Sequence, residues 1–180
     1  MKKLIVWAFA ALLAAGSLYA QQPQHCGHHG NGQHCGRHQA PQAPKTQYNA
    51  DGIQMDIVQA FPAVKSIKKV EKWTEVYDAK GKLLGYAVYS KPASDGIKGY
   101  AGETPVMIAL STKKVISGVY LLPNVETPGY VQRVQQAGFF NSWNGLTIKK
   151  AKKKQVDTVS GATYTSRAVA QSVQAALKKL

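Results

Sequence analysis

The sequence predicts an α+β domain: an antiparallel sheet flanked by helices. Three features carry this expectation. Strand-like runs follow one another with only short turns between them, the pattern of strands paired antiparallel. A long helical periodicity closes the chain. A shorter one precedes the first strand. Strands grouped in the middle with helices on either side define the class.

Taken in order, Asp51 is placed to cap a helix whose Ile53, Ile57, Ala60 and Phe61 share one face, and Pro62 ends it. Residues 72–78 are rich in aromatic and β-branched side chains and read as a strand. Asp78-Ala79-Lys80-Gly81 has the composition of a hairpin turn, and residues 82–90 return as a second strand with Leu84, Tyr86 and Val88 on one side. Gly96, Gly99 and Gly102 punctuate a loop. Residues 104–110 and 115–121 form a further hairpin, turned at 111–114. Residues 129–138 suit a short helix with Tyr130, Val131, Val134 and Ala137 inward, followed by a loop holding Phe139, Phe140 and Trp143. Residues 146–148 and 155–157 read as short extended pieces. The clearest helix is 165–179, where Val169, Val173, Ala176, Leu177 and Leu180 keep the spacing of one face. Lys178 and Lys179 complement the dipole at its C-terminal end.

The chain opens Met1-Lys2-Lys3 and then runs apolar from Leu4 to Ala20. A basic start, an apolar stretch and a small residue at its end describe a secretory leader over residues 1–20. Cleavage falls after Ala20, or after Ser17, where Ala15 gives the better small-residue pattern. Left uncut, the stretch would anchor the chain, at the short end of the roughly 17–25 residues that span a bilayer. The remainder is expected in the periplasm or otherwise outside the cytoplasm. It is long enough for one core and therefore for one domain. The formal charge of +14 includes Lys2 and Lys3, so the exported part carries +12. Such an excess favours solubility and a solvated basic face. An acidic partner or an anionic membrane surface is the alternative. No nucleic-acid recognition motif is present, and no such partner is expected.

Residues 21–50 hold Gln, Gly, His and Pro and almost no large apolar side chain, so a disordered segment is expected there. It contains a small repeat, His25-Cys26-Gly27-His28-His29 and His34-Cys35-Gly36-Arg37-His38. Imidazole and thiolate suit zinc, copper and nickel, which makes His25, Cys26, His28, His29, His34, Cys35 and His38 candidate ligands for a transition metal. The spacing matches no standard zinc finger, and the haem-attachment pattern is absent. A Cys26–Cys35 disulfide or an inert tail are the competing readings. Pro41 and Pro44 then form a stiff linker into the folded domain, residues 51–180. That domain has no histidine, which excludes a Ser/His/Asp triad. No paired-carboxylate site is apparent either.

The run Asp157-Thr158-Val159-Ser160-Gly161-Ala162-Thr163 leads into the last helix. A helix N-terminus offers unpaired N–H groups and a partial positive charge, which suit a phosphate. Gly161 allows close backbone approach, Ala162 leaves room, and the Ser160 hydroxyl can accept from an exposed N–H. Asp157 has no attraction for a phosphate. The pattern D-x-x-S-G-A-T resembles the acceptor sequence of the FMN-binding domain family, which includes the flavin-carrying subunits of the sodium-pumping NADH:quinone reductase and of the Rnf complex. The resemblance implies covalent FMN on Thr163, esterified through its phosphate by a separate flavin transferase that uses FAD and a divalent metal ion. Asp157 would be read by that enzyme during modification.

Upstream, Glu126-Thr127-Pro128-Gly129-Tyr130 resembles the family's E-T-P-G loop beside the isoalloxazine ring, which implies flavin contacts from Glu126 and Thr127. Trp143 and Gly145 loosely match a downstream aromatic and glycine. As aromatics, Tyr130 and Trp143 either stack on the ring or belong to the core. The resemblance covers roughly residues 76–177. The chain departs from the reductase subunits in being shorter and in carrying the His/Cys segment, which admits a free-standing carrier. Lys149-Lys150-Ala151-Lys152-Lys153-Lys154 reads as a solvated loop, or as a dock for FAD or an acidic redox partner. The function implied is that of an extracytoplasmic electron-transfer flavoprotein, a carrier rather than a self-contained enzyme. Its redox partners are unidentified, and a membrane electron-transfer complex is among the candidates. The rivals are an exported metal-binding protein and a module that binds FMN reversibly or has lost it.

Overall fold

The computed structural model describes residues 42–180. The expected leader, residues 1–20, and the candidate metal ligands His25, Cys26, His28, His29, His34, Cys35 and His38 lie outside the described residues. Five strands form one sheet in sequence order, all antiparallel: β1 (Ser66–Lys69), β2 (Thr74–Tyr77), β3 (Leu83–Tyr89), β4 (Val106–Ser111) and β5 (Ile116–Leu121). Helix α1 (Met55–Ala60) precedes the sheet. Helix α2 (Pro128–Gln136), a 3₁₀ turn (Phe139–Trp143), α3 (Ile148–Lys153) and α4 (Thr163–Lys178) follow it. The α+β class with helices flanking an antiparallel sheet is the one the sequence predicts.

Both faces of the sheet are covered, and β4 registers this most clearly. Val106, Met107, Ile108, Ala109 and Leu110 are all fully buried. The even-numbered residues pack with Val134, Trp143, Val169, Val173 and Leu177 from the later helices. Met107 and Ala109 pack with Ile53, Ile57 and Phe61 around α1. A strand sandwiched in this way loses its polar alternation, which is why it reads as a continuous apolar run.

Several local expectations are corrected. Asp51 does not cap a helix: α1 begins four residues later, with Gln54 at its N-cap and no side-chain cap. Asp51 pairs with Lys65 at 2.9 Å, and the Asn49 carboxamide oxygen accepts from the N–H groups of Asp51 and Ile53. Leu84 leaves the side shared by Tyr86 and Val88. Val76 pairs with Gly85 and Tyr77 with Leu83, so Leu84 is the extra residue of a β-bulge and joins the α1 cluster. Ala137 is exposed at the C-cap of α2 rather than inward.

Strand β1 was not expected. It is a sheet edge in which only Ile67 is even half-buried, and its lysines leave no alternating pattern to read. The basic run is not a loop but the body of α3, whose Ala151 is fully buried. Thr147 caps it by accepting from the Lys150 N–H at 3.4 Å. The Gln174 carboxamide ties its end to α4 by donating to the carbonyls of Ala151 and Lys154. Residues 155–157 form no strand, and α4 begins at Thr163, two residues earlier than its periodicity indicates.

Candidate functional site

Thr163 is the first residue of α4, with Ala162 at the N-cap. The turn before it is built by its own chain. Gly161 takes φ 72, and the Ala162 N–H donates to the Val159 carbonyl at 3.0 Å. The cap function that sequence reasoning gave to Ser160 is filled by Ser166, one turn into the helix. Its hydroxyl accepts from the Val159 N–H at 3.0 Å and donates back to the Ala162 carbonyl at 3.0 Å. Ser160 is exposed, and its hydroxyl makes no hydrogen bond among the described residues. Thr163 is half-buried, and its hydroxyl makes no hydrogen bond to the described residues.

A cavity of about 240 Å³ opens at this point, lined by Tyr100, Tyr130, Gly161, Ala162, Thr163, Tyr164 and Thr165. Tyr100 and Tyr164 are largely exposed, at 62% and 65%. The Tyr100 ring meets Tyr130 edge to face, with centroids 4.9 Å apart. Tyr130 comes from the first turn of α2, and Tyr100 from the loop between Gly99 and Gly102. The structure thus brings together three segments distant in sequence: the glycine loop, the start of α2 and the turn at Gly161 that opens α4.

Glu126 holds these segments in place from behind. It is 5% exposed and lines no part of the cavity. One carboxylate oxygen accepts from the backbone N–H groups of Ala101 at 2.6 Å and Gly102 at 2.9 Å. The other accepts from the Thr165 hydroxyl at 2.5 Å. Burial pushes this carboxyl upward. The Thr165 hydroxyl and the backbone N–H groups of Gly102, Ala101 and Tyr100 outweigh burial and hold it below its usual value. Gly99 is the residue this packing requires, because a Cβ there would lie 2.8 Å from the Glu126 carboxyl carbon. Thr127 is half-buried at the N-cap of α2 and also stands off the cavity.

The other sequence candidates fall elsewhere. Asp157 is exposed and lines, with Thr158, a separate groove of about 930 Å³ along α4. Trp143 is fully buried in the core and reaches that second groove, not the cavity at Thr163. Gly145 is exposed at φ 74, and its N–H donates to the Ile116 carbonyl. Sequence reasoning missed Tyr100, Thr165 and Ser166. The signal for Tyr100 was its place inside a glycine-rich loop. Thr165 and Ser166 read only as the start of a helix.

These residues suit a phosphorylated flavin. Thr163, whose hydroxyl is unbonded among the described residues, lines a cavity at a helix start, and an aromatic pair lines it as well. Residues 99–178 match the FMN-binding domain model. A component of the Na(+)-translocating ferredoxin:NAD(+) oxidoreductase complex of Acetobacterium woodii is 30% identical, over 62% of this chain and 58% of its own length. A component of the ion-translocating oxidoreductase complex of Shewanella piezotolerans is 32% identical, over 43% of this chain and 42% of its own. The chain therefore spans less than two thirds of these relatives. The crystal structure of Shewanella oneidensis NqrC aligns with 71% of this chain and 70% of its own at 21% identity and a TM-score of 0.39. Residues 99–178 thus match the FMN-binding domain model, and the chain is similar over part of its length to components of ion-translocating oxidoreductase complexes.

Proposed function

We propose that the chain carries FMN covalently, as a phosphoester on Thr163, and passes electrons through it outside the cytoplasm. The observation that carries this reading is half-buried Thr163, which lines the cavity at the start of α4 and whose hydroxyl is free of hydrogen bonds to the described residues. Bound FMN supplies one- and two-electron redox chemistry that no side chain offers.

The chain's own residues supply attachment, orientation and shielding. The Thr163 oxygen attacks the flavin-side phosphorus of FAD. A P–O bond to threonine forms, the phosphoanhydride bond breaks, AMP departs and the hydroxyl proton passes to solvent. No electrons move. The divalent ion and the catalytic machinery belong to the transferase, which recognises Asp157 on the exposed face of the acceptor run. Tyr100 and Tyr130 would form an aromatic wall beside the attachment point, and the open side of the cavity would leave the flavin accessible to redox partners. Glu126 acts as a strut rather than a ligand, fixing the Tyr100 loop to α4, while Thr127 starts the helix that presents Tyr130.

The relatives' names support a membrane-bound ion-translocating electron-transfer complex as the partner. The basic start and apolar run of residues 1–20, read as a leader, support placement outside the cytoplasm. Co-expression with a flavin transferase tests the attachment. Yellow fluorescence should stay with the protein band on a denaturing gel and vanish in Thr163→Ala. A colourless wild-type band beside intact, folded protein would contradict it.

A further inference from the structure

We propose that Arg133 is the countercharge and hydrogen-bond donor for the phosphoryl group at Thr163, an inference that rests on the covalent reading above. Arg133 lies in the last turn of α2, three residues after Tyr130. Residues at that spacing share a helix face. The same face of α2 therefore offers Tyr130 to the cavity and Arg133 to the acceptor turn.

The guanidinium lies across Gly161. A Cβ at that position would strike Nη1 and stand 3.2 Å from Cζ and 3.4 Å from Cδ. Gly161 is thus required twice, by φ 72 and by the arginine packed on it. Among the described residues the guanidinium forms no ion pair, and Asp157, the acidic residue of the acceptor run, lines the other groove. An arginine held against a backbone turn with its donors unspent is a fork that matches phosphoryl oxygens. The turn it rests on is two residues from the hydroxyl that receives the phosphate. Once the diester forms, one negative charge remains on it, and Arg133 is positioned to neutralise that charge and fix the phosphate beside α4. During transfer it donates to the non-bridging oxygens.

The test uses the full chain, its transferase, FAD and magnesium, with loading followed by intact mass at low and high salt. Arg133→Gln should load about tenfold more slowly than wild type and lose most of the salt sensitivity. Arg133→Lys, which keeps the charge, should stay within about threefold. The ³¹P resonance of loaded Arg133→Gln should shift, while the flavin potential stays unchanged because the ring is remote from the phosphate. Loading at the wild-type rate with an unmoved ³¹P resonance overturns the proposal. So does a loss in Arg133→Lys as deep as in Arg133→Gln, which would mean a packing role. Should Arg133→Gln fail to fold, Arg133→Ala, which favours helix, takes its place with the same two outcomes. An unlabelled wild type overturns the covalent reading and this inference together. A wild type labelled no faster than Arg133→Gln overturns only the role of Arg133.

Discussion

Glu126 gathers the polar contacts behind the site into one buried carboxylate. It accepts from two backbone N–H groups and one hydroxyl, so its worth depends on staying ionised. Its folded value lies below the usual 4.5. The stabilisation is therefore complete above the unfolded value and is lost as pH falls through the folded one. Urea unfolding followed from neutral pH down through the acid range should show Glu126→Gln less stable at neutrality, with the gap to wild type closing on acidification. A gap independent of pH would remove the charge from the account. Thr165→Val deletes the hydroxyl and should cost about 1.5–3 kcal/mol in the same measurement, the range for a hydrogen bond to a charged group. This role was not legible in the sequence. E-T-P-G marked the segment, but only the folded chain turns the carboxylate inward onto Thr165. Arg133 gave no signal at all, since a lone arginine on an amphipathic helix reads as solvated surface and its contact with Gly161 exists only in three dimensions.

At the scale of elements, legibility followed burial pattern. The hairpins β2–β3 and β4–β5 and the helix α4 announced themselves because their apolar spacing is imposed by packing on the sheet. Strand β1 and helix α3 did not, because each buries very little: Ile67 at the edge of one, Ala151 beneath the lysines of the other. A six-residue helix with one buried alanine is held by its neighbours rather than by propensity. Two substitutions separate those causes. Ala151→Asp places an unpaired charge where no solvent reaches and should destabilise by more than about 2 kcal/mol. Thr147→Ala removes a long 3.4 Å cap and should cost about 0.5 kcal/mol, the low end for an N-cap. Equal costs in denaturant titration would show that α3 depends on its cap rather than on docking through Gln174 and Ala151.

Across the described residues, the sheet holds the buried core and the proposed chemistry lies at its rim. The largest fully buried side chains, among them Trp143, Ile108, Leu110 and Leu177, belong to the core cluster that joins α4 to β4. The Thr163 hydroxyl makes no hydrogen bond to the described residues, so Thr163→Ala should change stability by less than about 0.5 kcal/mol while abolishing the flavin. The proposed acceptor run stood out in the sequence because its spacing is local. The cavity did not, because its walls come from three segments distant in sequence, brought together by contacts such as those of Glu126 and the Tyr100–Tyr130 pair. The most direct test is tandem mass spectrometry of protein from its native host. Trypsin should release residues 155–167 as one peptide. The account predicts that this peptide carries one FMN, less one water, on Thr163. A peptide that is unmodified, or that bears the flavin on Thr158 or Ser160, would contradict it.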